Sequence, residues 1–564
     1  MQPKLLSLVF ACGAVALGAL SLSMAPATAQ EKDTEAKPEK PALGQDWRAL
    51  RDGLDDVFST LQKENNLKPS ALCDDETFLR RAFLDLCGVP PTPADVAAFA
   101  PGKKDAKGRK GQEKREALVD QLLASAEYAE NFATYWRVQC VGRDKGDELN
   151  GYLQDYFRTC FLENRGWDKV VQGLIASSGK TPETPEVAFL FAFDNVRADI
   201  SGTTSRLFLG KQIQCAQCHD HPYEQWKTDD FEAMQGFFAL TSTGSKGEGK
   251  DRYWFTEEKP VPENNHELSS RIRLKGRYFL PKYLGGDTYK YDNTRSLRQS
   301  LADWMTSPEN KWFREMSVNR YFAYLLGMGF VMPMDDFNSF NEPSVPVVLE
   351  MMGKDFAASG FDLRYLLRAI CTSKLYQRSA QPTRFNKQDR MYYSRFFVRK
   401  LSPEQLFRSV LRVTGIETLN PYQFVRDVPV EKLSEDEKRN KMIRDRVMGY
   451  KNNLAQYFRN AYGTDEPEKA FDDYSGSVLQ ALLLMNFPVL GDGNLKTTLA
   501  EILASTKDGR QRIDKIYETV LGRTPTQREW AIMRQVMTDW PANDTIYEDL
   551  FIALLNTTEF ATVG

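Results

Sequence analysis

A hydroxyl residue followed by proline and, two positions further on, by an acid or an amide recurs along this chain, as in Thr92-Pro93-Ala94-Asp95, Ser402-Pro403-Glu404-Gln405 and Thr524-Pro525-Thr526-Gln527. Each reads as a helix start. The hydroxyl oxygen can accept an unpaired amide of the first turn, proline at the first position has no amide to leave unpaired, and the third residue can bond back to the cap. After Pro403, Leu406, Phe407, Val410, Leu411 and Val413 keep a 3.6-residue spacing, Leu401 and Leu406 can staple the entry, and Gly415 offers a left-handed stop. Helical spacing with short polar breaks also runs through 118–136, 296–305, 319–328, 347–358, 363–369 and 478–485. Alternating strand patterns are scarce, so the fold class expected is mainly α.

Two stretches interrupt the helical pattern. Residues 101–113 are dense in Lys and Gly with no apolar anchors, which suits a solvated loop. Residues 241–277 begin with Gly, Ser and Lys, then carry Tyr253-Trp254-Phe255 and Pro260-Val261-Pro262, and are where strands are expected. A chain of 564 residues exceeds a single hydrophobic core. Two helical domains are therefore expected, 46–240 and 291–564, with separate cores that meet near residues 215–219. Residues 241–290 form the loop-rich, partly β connecting segment.

The N-terminus predicts export. Lys4 is a short basic region, residues 5–22 are apolar and uncharged, and Ala27-Thr28-Ala29 is a small-residue cleavage signal, so residues 1–29 read as a signal peptide. A lipid-modified Cys12 is the alternative. Residues 30–45 are rich in Glu, Lys, Pro and Ala, the composition of a disordered tether. No later stretch is long and apolar enough for a membrane span, and the expected location is periplasmic or extracellular. Loss of Lys4 takes the formal charge from −3 to about −4 with both signs interspersed, which argues against nucleic acid as the main partner. The mature chain keeps seven cysteines, an odd number spread too thinly for a disulfide framework.

The densest chemistry lies at Cys215-Ala216-Gln217-Cys218-His219, followed by Asp220-His221-Pro222. Two thiols two residues apart, followed at once by an imidazole, form the attachment pattern of c-type haem: each thiol adds across a vinyl group and His219 supplies an axial nitrogen. Phe231, Met234, Phe237 and Phe238 lie just downstream at helical spacing and are candidates to line the haem, with Met234 a candidate sixth ligand and Met328, Met332 and Met334 others. A non-haem ion, zinc or iron, is the rival. Pro222 biases His221 to an extended conformation, so His219 and His221 could face one ion, completed by Cys215 and Cys218 or by oxygens of Asp220, Asp335 and Asp336. A Cys215–Cys218 disulfide beside two ordinary histidines is the third possibility.

Several further segments carry a family resemblance. Leu79-Arg80-Arg81-Ala82-Phe83-Leu84-Asp85-Leu86-Cys87-Gly88-Val89-Pro90-Pro91-Thr92-Pro93, then 122–128, then Arg206-Leu207-Phe208-Leu209-Gly210 leading into 215–223, resemble in order a planctomycete cytochrome-c-like domain of the second type. Leu301-Ala302-Asp303-Trp304, Val318-Asn319-Arg320, Gly327-Met328-Gly329-Phe330 and Asp335-Asp336-Phe337 resemble the planctomycete-specific C-terminal domain that follows it. Both are domains of unknown function. The resemblance spans nearly all of residues 46–564 and implies haem through its name and its Cys-x-x-Cys-His. This chain departs from it at Val345, where similar proteins usually carry His, and at Cys87, where Thr is commoner.

Enzyme signatures are weak. There is no Gly-x-Ser-x-Gly elbow, no phosphate-cradling Gly-rich loop and no His-Glu-x-x-His helix. The expected function is a redox or electron-transfer role through one covalent haem, with an unidentified redox partner or other periplasmic protein. The alternative is a non-haem metal protein that binds or acts on carbohydrate.

Overall fold

The computed structural model describes residues 43–142, 147–222, 224–248, 251–260, 273–274, 277–278, 280–290, 292, 294–415, 434–435, 438, 498–539 and 545–564. The expected signal peptide, residues 30–42 of the expected tether and the helix expected over 478–485 lie outside the described residues.

The molecule is mainly helical, and the caps show why its helices begin where they do. Thr92 and Asp95 bond reciprocally at the start of the Pro93–Phe99 helix, and Ser402 and Gln405 do so for Pro403–Thr414, which ends at left-handed Gly415. The third signal acts two residues late. The helix there is Gln527–Asp539, Thr526 Oγ1 accepts the Glu529 amide and Glu529 accepts the Thr526 amide, so Pro525 stands outside the helix. Glu529 wins over Gln527 because Arg523 grips its carboxylate with two nitrogens at 2.9 Å. The 118–136 pattern is split into Gly111–Leu123 and Ala126–Val141 by Ser125, whose hydroxyl accepts the Tyr128 amide and donates to the Leu122 carbonyl.

Strands occur where the helical pattern breaks. Thr241–Lys246 pairs antiparallel with Tyr253–Glu258, Thr241 opposite Glu258 and Lys246 opposite Tyr253, and Gly179–Lys180 pairs with the other edge of Tyr253–Glu258. A second hairpin joins Arg273–Leu274 to Arg277–Tyr278. Alternation decides burial: Trp254 and Thr256 are buried, while Tyr253 and Phe255 are half-buried.

Two helical domains with a loop-rich link are present, but their cores are not separate. Buried apolar side chains from both halves form one cluster. Within it Trp136 and Trp167 of the first half, with Phe208 packed against both, meet Tyr321 of the second, and Trp136 Nε1 donates to the Tyr321 hydroxyl at 2.8 Å. The helical spacing gives each half an apolar face; the faces are large enough to need each other.

A polar hub also joins the halves. After the Asp75–Ala82 helix the chain widens into one π-helical turn, Phe83–Cys87, closed by Gly88 at φ +71°. Such a turn leaves carbonyls without their usual partners. Here Asn131 Nδ2 donates to the carbonyls of Asp85 and Leu86, Tyr324 donates to that of Asp85, and Gln405 to that of Leu84. Asp85 itself is fully buried, ion-paired with Arg399 and accepting the Tyr376 hydroxyl at 2.6 Å. A side chain at 88 would collide with Asn131, so both conformation and space require glycine.

Candidate cofactor site around Cys215

The helix Arg197–Leu209 stops at Gly210, φ +65°, which takes the left-handed cap and lets Phe337 and Met316 pack directly against the backbone. One turn of 3₁₀ helix follows, Gln214–Gln217. With three residues per turn, positions three apart share a side. Ile213 and Ala216 therefore point into the core, and Cys215 and Cys218 emerge together on the exposed side. All seven described cysteines are free, so no Cys215–Cys218 disulfide is present. The other five are buried, and burial pushes the thiols of Cys87 and Cys140 up to about 12 and that of Cys160 up to about 11.

The two histidines beyond the thiols are held in opposite senses. His219 is exposed, and its Nδ1 lies 2.8 Å from the carbonyl oxygen of Asp220. A carbonyl only accepts, so Nδ1 carries the proton and Nε2 keeps its lone pair. His221 is half-buried, and its Nδ1 accepts the Glu224 amide at 3.0 Å, which places the proton of the neutral ring on Nε2. The loop is tied down at both ends of this segment. The Trp226 carbonyl accepts the His221 amide at 2.8 Å, and Asp220 Oδ1 accepts the Thr228 amide, capping the helix Thr228–Gln235.

Residues of the second half brace the same loop. The Ser339 amide and hydroxyl both donate to Glu224 Oε1, at 2.7 and 2.5 Å. Burial opposes ionisation of Glu224, but these two donors, with Lys211 and His221 nearby, hold its carboxyl below the usual range. Asp335 is fully buried between Arg206 at 2.5 Å and Arg320 at 3.6 Å, with Gln212 Nε2 at 3.4 Å. It thus serves as an ion-pair anchor under the loop. Spacing could not reveal Glu224–Ser339, a pair 115 positions apart.

The candidate haem-lining residues are placed differently from the thiols. The helix carrying Met234 packs against the 3₁₀ turn, yet Met234, Phe231, Phe237 and Phe238 are at most 1% exposed and belong to the core. Their helical spacing is that of an inward face. Met334 is also fully buried. Among the described residues no three His, Cys, Asp or Glu side chains gather as a metal ion would require. No described helix is long and apolar enough to cross a membrane.

Family models account for most of this architecture. Residues 54–243 match PSCyt2, a protein of unknown function (DUF1549), and residues 297–537 match PSD1, a protein of unknown function (DUF1553). The chain belongs to the family that joins these two domains in that order. Comparison with curated proteins and with solved structures gave no match.

Proposed function

We propose that this protein is an exported redox protein that carries one haem bound covalently to Cys215 and Cys218, with His219 as the protein's ligand to iron. The observation that carries it is the pair of tautomers. His219 presents an unprotonated Nε2 beside two exposed, free thiols, whereas His221 has spent its Nδ1 on the Glu224 amide. A non-haem zinc or iron site drawing on both histidines would need His221 to break that bond or lose its Nε2 proton. The donor set therefore fits thioether attachment better than a four-ligand ion. When bound, haem supplies one-electron redox chemistry. The chain's own part is to hold the thiols together on one turn, fix the His219 ring through its Nδ1 proton, and keep the loop rigid through Asp220, Glu224 and Asp335. Met234 remains core packing. A partner would dock around the exposed motif, where Phe340, 79% exposed and next to the Ser339 that grips Glu224, offers an apolar contact.

Expression with a c-type maturation system and an absorption spectrum of the denatured protein test this. Colour that survives denaturation, disappears in the Cys215→Ala/Cys218→Ala variant and persists in His221→Ala is the expected result. A colourless protein, or a metal released on unfolding and weakened by His221→Ala, would overturn it.

A further inference from the structure

We propose that the cleft where the turn between the Leu297–Met305 and Lys311–Leu326 helices faces the loop at 284–286 binds a neutral pyranose ring of a glycan. The cavity measures about 310 Å³ and is lined by two indoles, Trp304 and Trp312, with Gly285 and Gly286 on one side and Ser307, Glu309 and Lys311 at the rim. That volume is at the small end for ligand sites, about 300 Å³ and upwards, and suits a single ring.

The indoles are fixed before any ligand arrives. Trp304 stacks on Tyr283 with centroids 5.1 Å apart, and Trp312 meets Trp226 edge-on at 6.0 Å with the Lys211 ammonium 5.1 Å from its ring centre. Asn310 sets their separation, because its Oδ1 accepts the amides of Trp312 and Phe313 while its Nδ2 donates to the Trp304 carbonyl. Gly285, at φ +63°, packs directly against the edge of the Trp312 indole, where a Cβ would lie 2.8 Å from the ring, and so helps to hold it. Preorganised aromatic surface of this kind binds without losing rotamer freedom.

The rim chemistry selects the ligand. The Ser307 oxygen accepts the Glu309 amide at 3.2 Å and can still donate its own hydrogen, the Glu309 side chain is exposed and accepts, and Lys311, only 3.7 Å from Glu315, donates. A pyranose presents C–H groups on its face and hydroxyls at its edge, which matches indole walls with a mixed donor and acceptor rim. A purely apolar ligand would bury these polar groups without recompense, and an anion would face Glu309. The exposed mouth leaves room for the rest of a glycan to extend into solvent. Trp226 lies between the cleft and the Cys215 loop, touching Trp312 with its ring and His221 with its carbonyl.

Titration calorimetry of the mature chain with maltose, cellobiose, lactose and diacetylchitobiose tests the proposal. At least one should bind with one-to-one stoichiometry, and Trp312→Ala should weaken it about tenfold or more, with Glu309→Ala weakening it in the same direction. Cys215→Ala/Cys218→Ala should bind the sugar as the native protein does, which separates this site from the cofactor. No binding by any of the four sugars, or binding unaltered by Trp312→Ala, would overturn it. Glu309 is exposed, so Glu309→Ala decides if the tryptophan variant fails to fold: unchanged affinity there also overturns it.

Discussion

At the scale of single residues, the side chains that matter most to the fold are charged and buried. Asp85 and Arg399 sit together in the interior, and burial pushes the Arg399 guanidinium down to about 9, the mark of a cation that has lost most of its hydration. Removing one member of such a pair leaves the other uncompensated, at a cost of about 3–5 kcal/mol. Arg399→Met should therefore lower stability by that amount, read as a fall in the denaturant midpoint. Adding Asp85→Asn, which keeps an acceptor for the Tyr376 hydroxyl, should recover much of the loss. A midpoint unmoved by Arg399→Met would mean the ion pair contributes nothing beyond what methionine packing supplies. Nothing in the spacing around Asp85 announces this role, because its partners, Tyr376 and Arg399, lie 291 and 314 positions away.

At the scale of elements, what the sequence reveals depends on how local the cause is. Caps are local, so Thr92, Ser402 and Gly415 could be read directly, and the two-residue error at Thr524 arose where a neighbouring cation, Arg523, six residues before Glu529, favoured Glu529 over Gln527. The corrected start makes a prediction. Thr526→Ala should cost about 1 kcal/mol of stability by removing the cap, whereas Thr524→Ala should leave stability unchanged, both measured by chemical denaturation. Equal effects at the two positions would restore the earlier start. The candidate site was legible to the same degree. Cys215, Cys218 and His219 stand out as a motif, and the 3₁₀ turn that exposes both thiols follows from Ile213 and Ala216 seeking the core. The apolar stripe of Phe231, Met234, Phe237 and Phe238 was ambiguous, since a stripe facing a cofactor and one facing the interior have the same period, and the structure places it in the core. The Glu224–Ser339 and Arg206–Asp335 contacts were hidden by sequence separation.

At the scale of the whole molecule, the break in helical signals after residue 240 marks a link between domains without marking independence. Trp136 and Trp167 pack on Tyr321 across the link, Asn131 and Tyr324 complete the π turn at Asp85, and Arg298, wholly buried, pairs with Glu258 while donating to the carbonyls of Ile175 and Ser177. Separating the halves would expose a broad apolar face on each and strand these polar groups, both strongly unfavourable. Residues 43–260 and 280–564 expressed alone should each be insoluble or lack fixed tertiary packing, seen as a weak near-ultraviolet circular dichroism signal. Expressed together they should assemble and regain one cooperative thermal transition. A half that alone unfolds cooperatively with its aromatic signal intact would show that the shared core is a contact between two self-sufficient domains. The Cys215 loop sharpens the test, because Cys215 and His219 belong to the first half while Ser339 and Asp335, which brace their loop, belong to the second. If haem attaches as proposed, His219 in the first half alone should bind iron less uniformly, and adding the second half should restore a single spectrum.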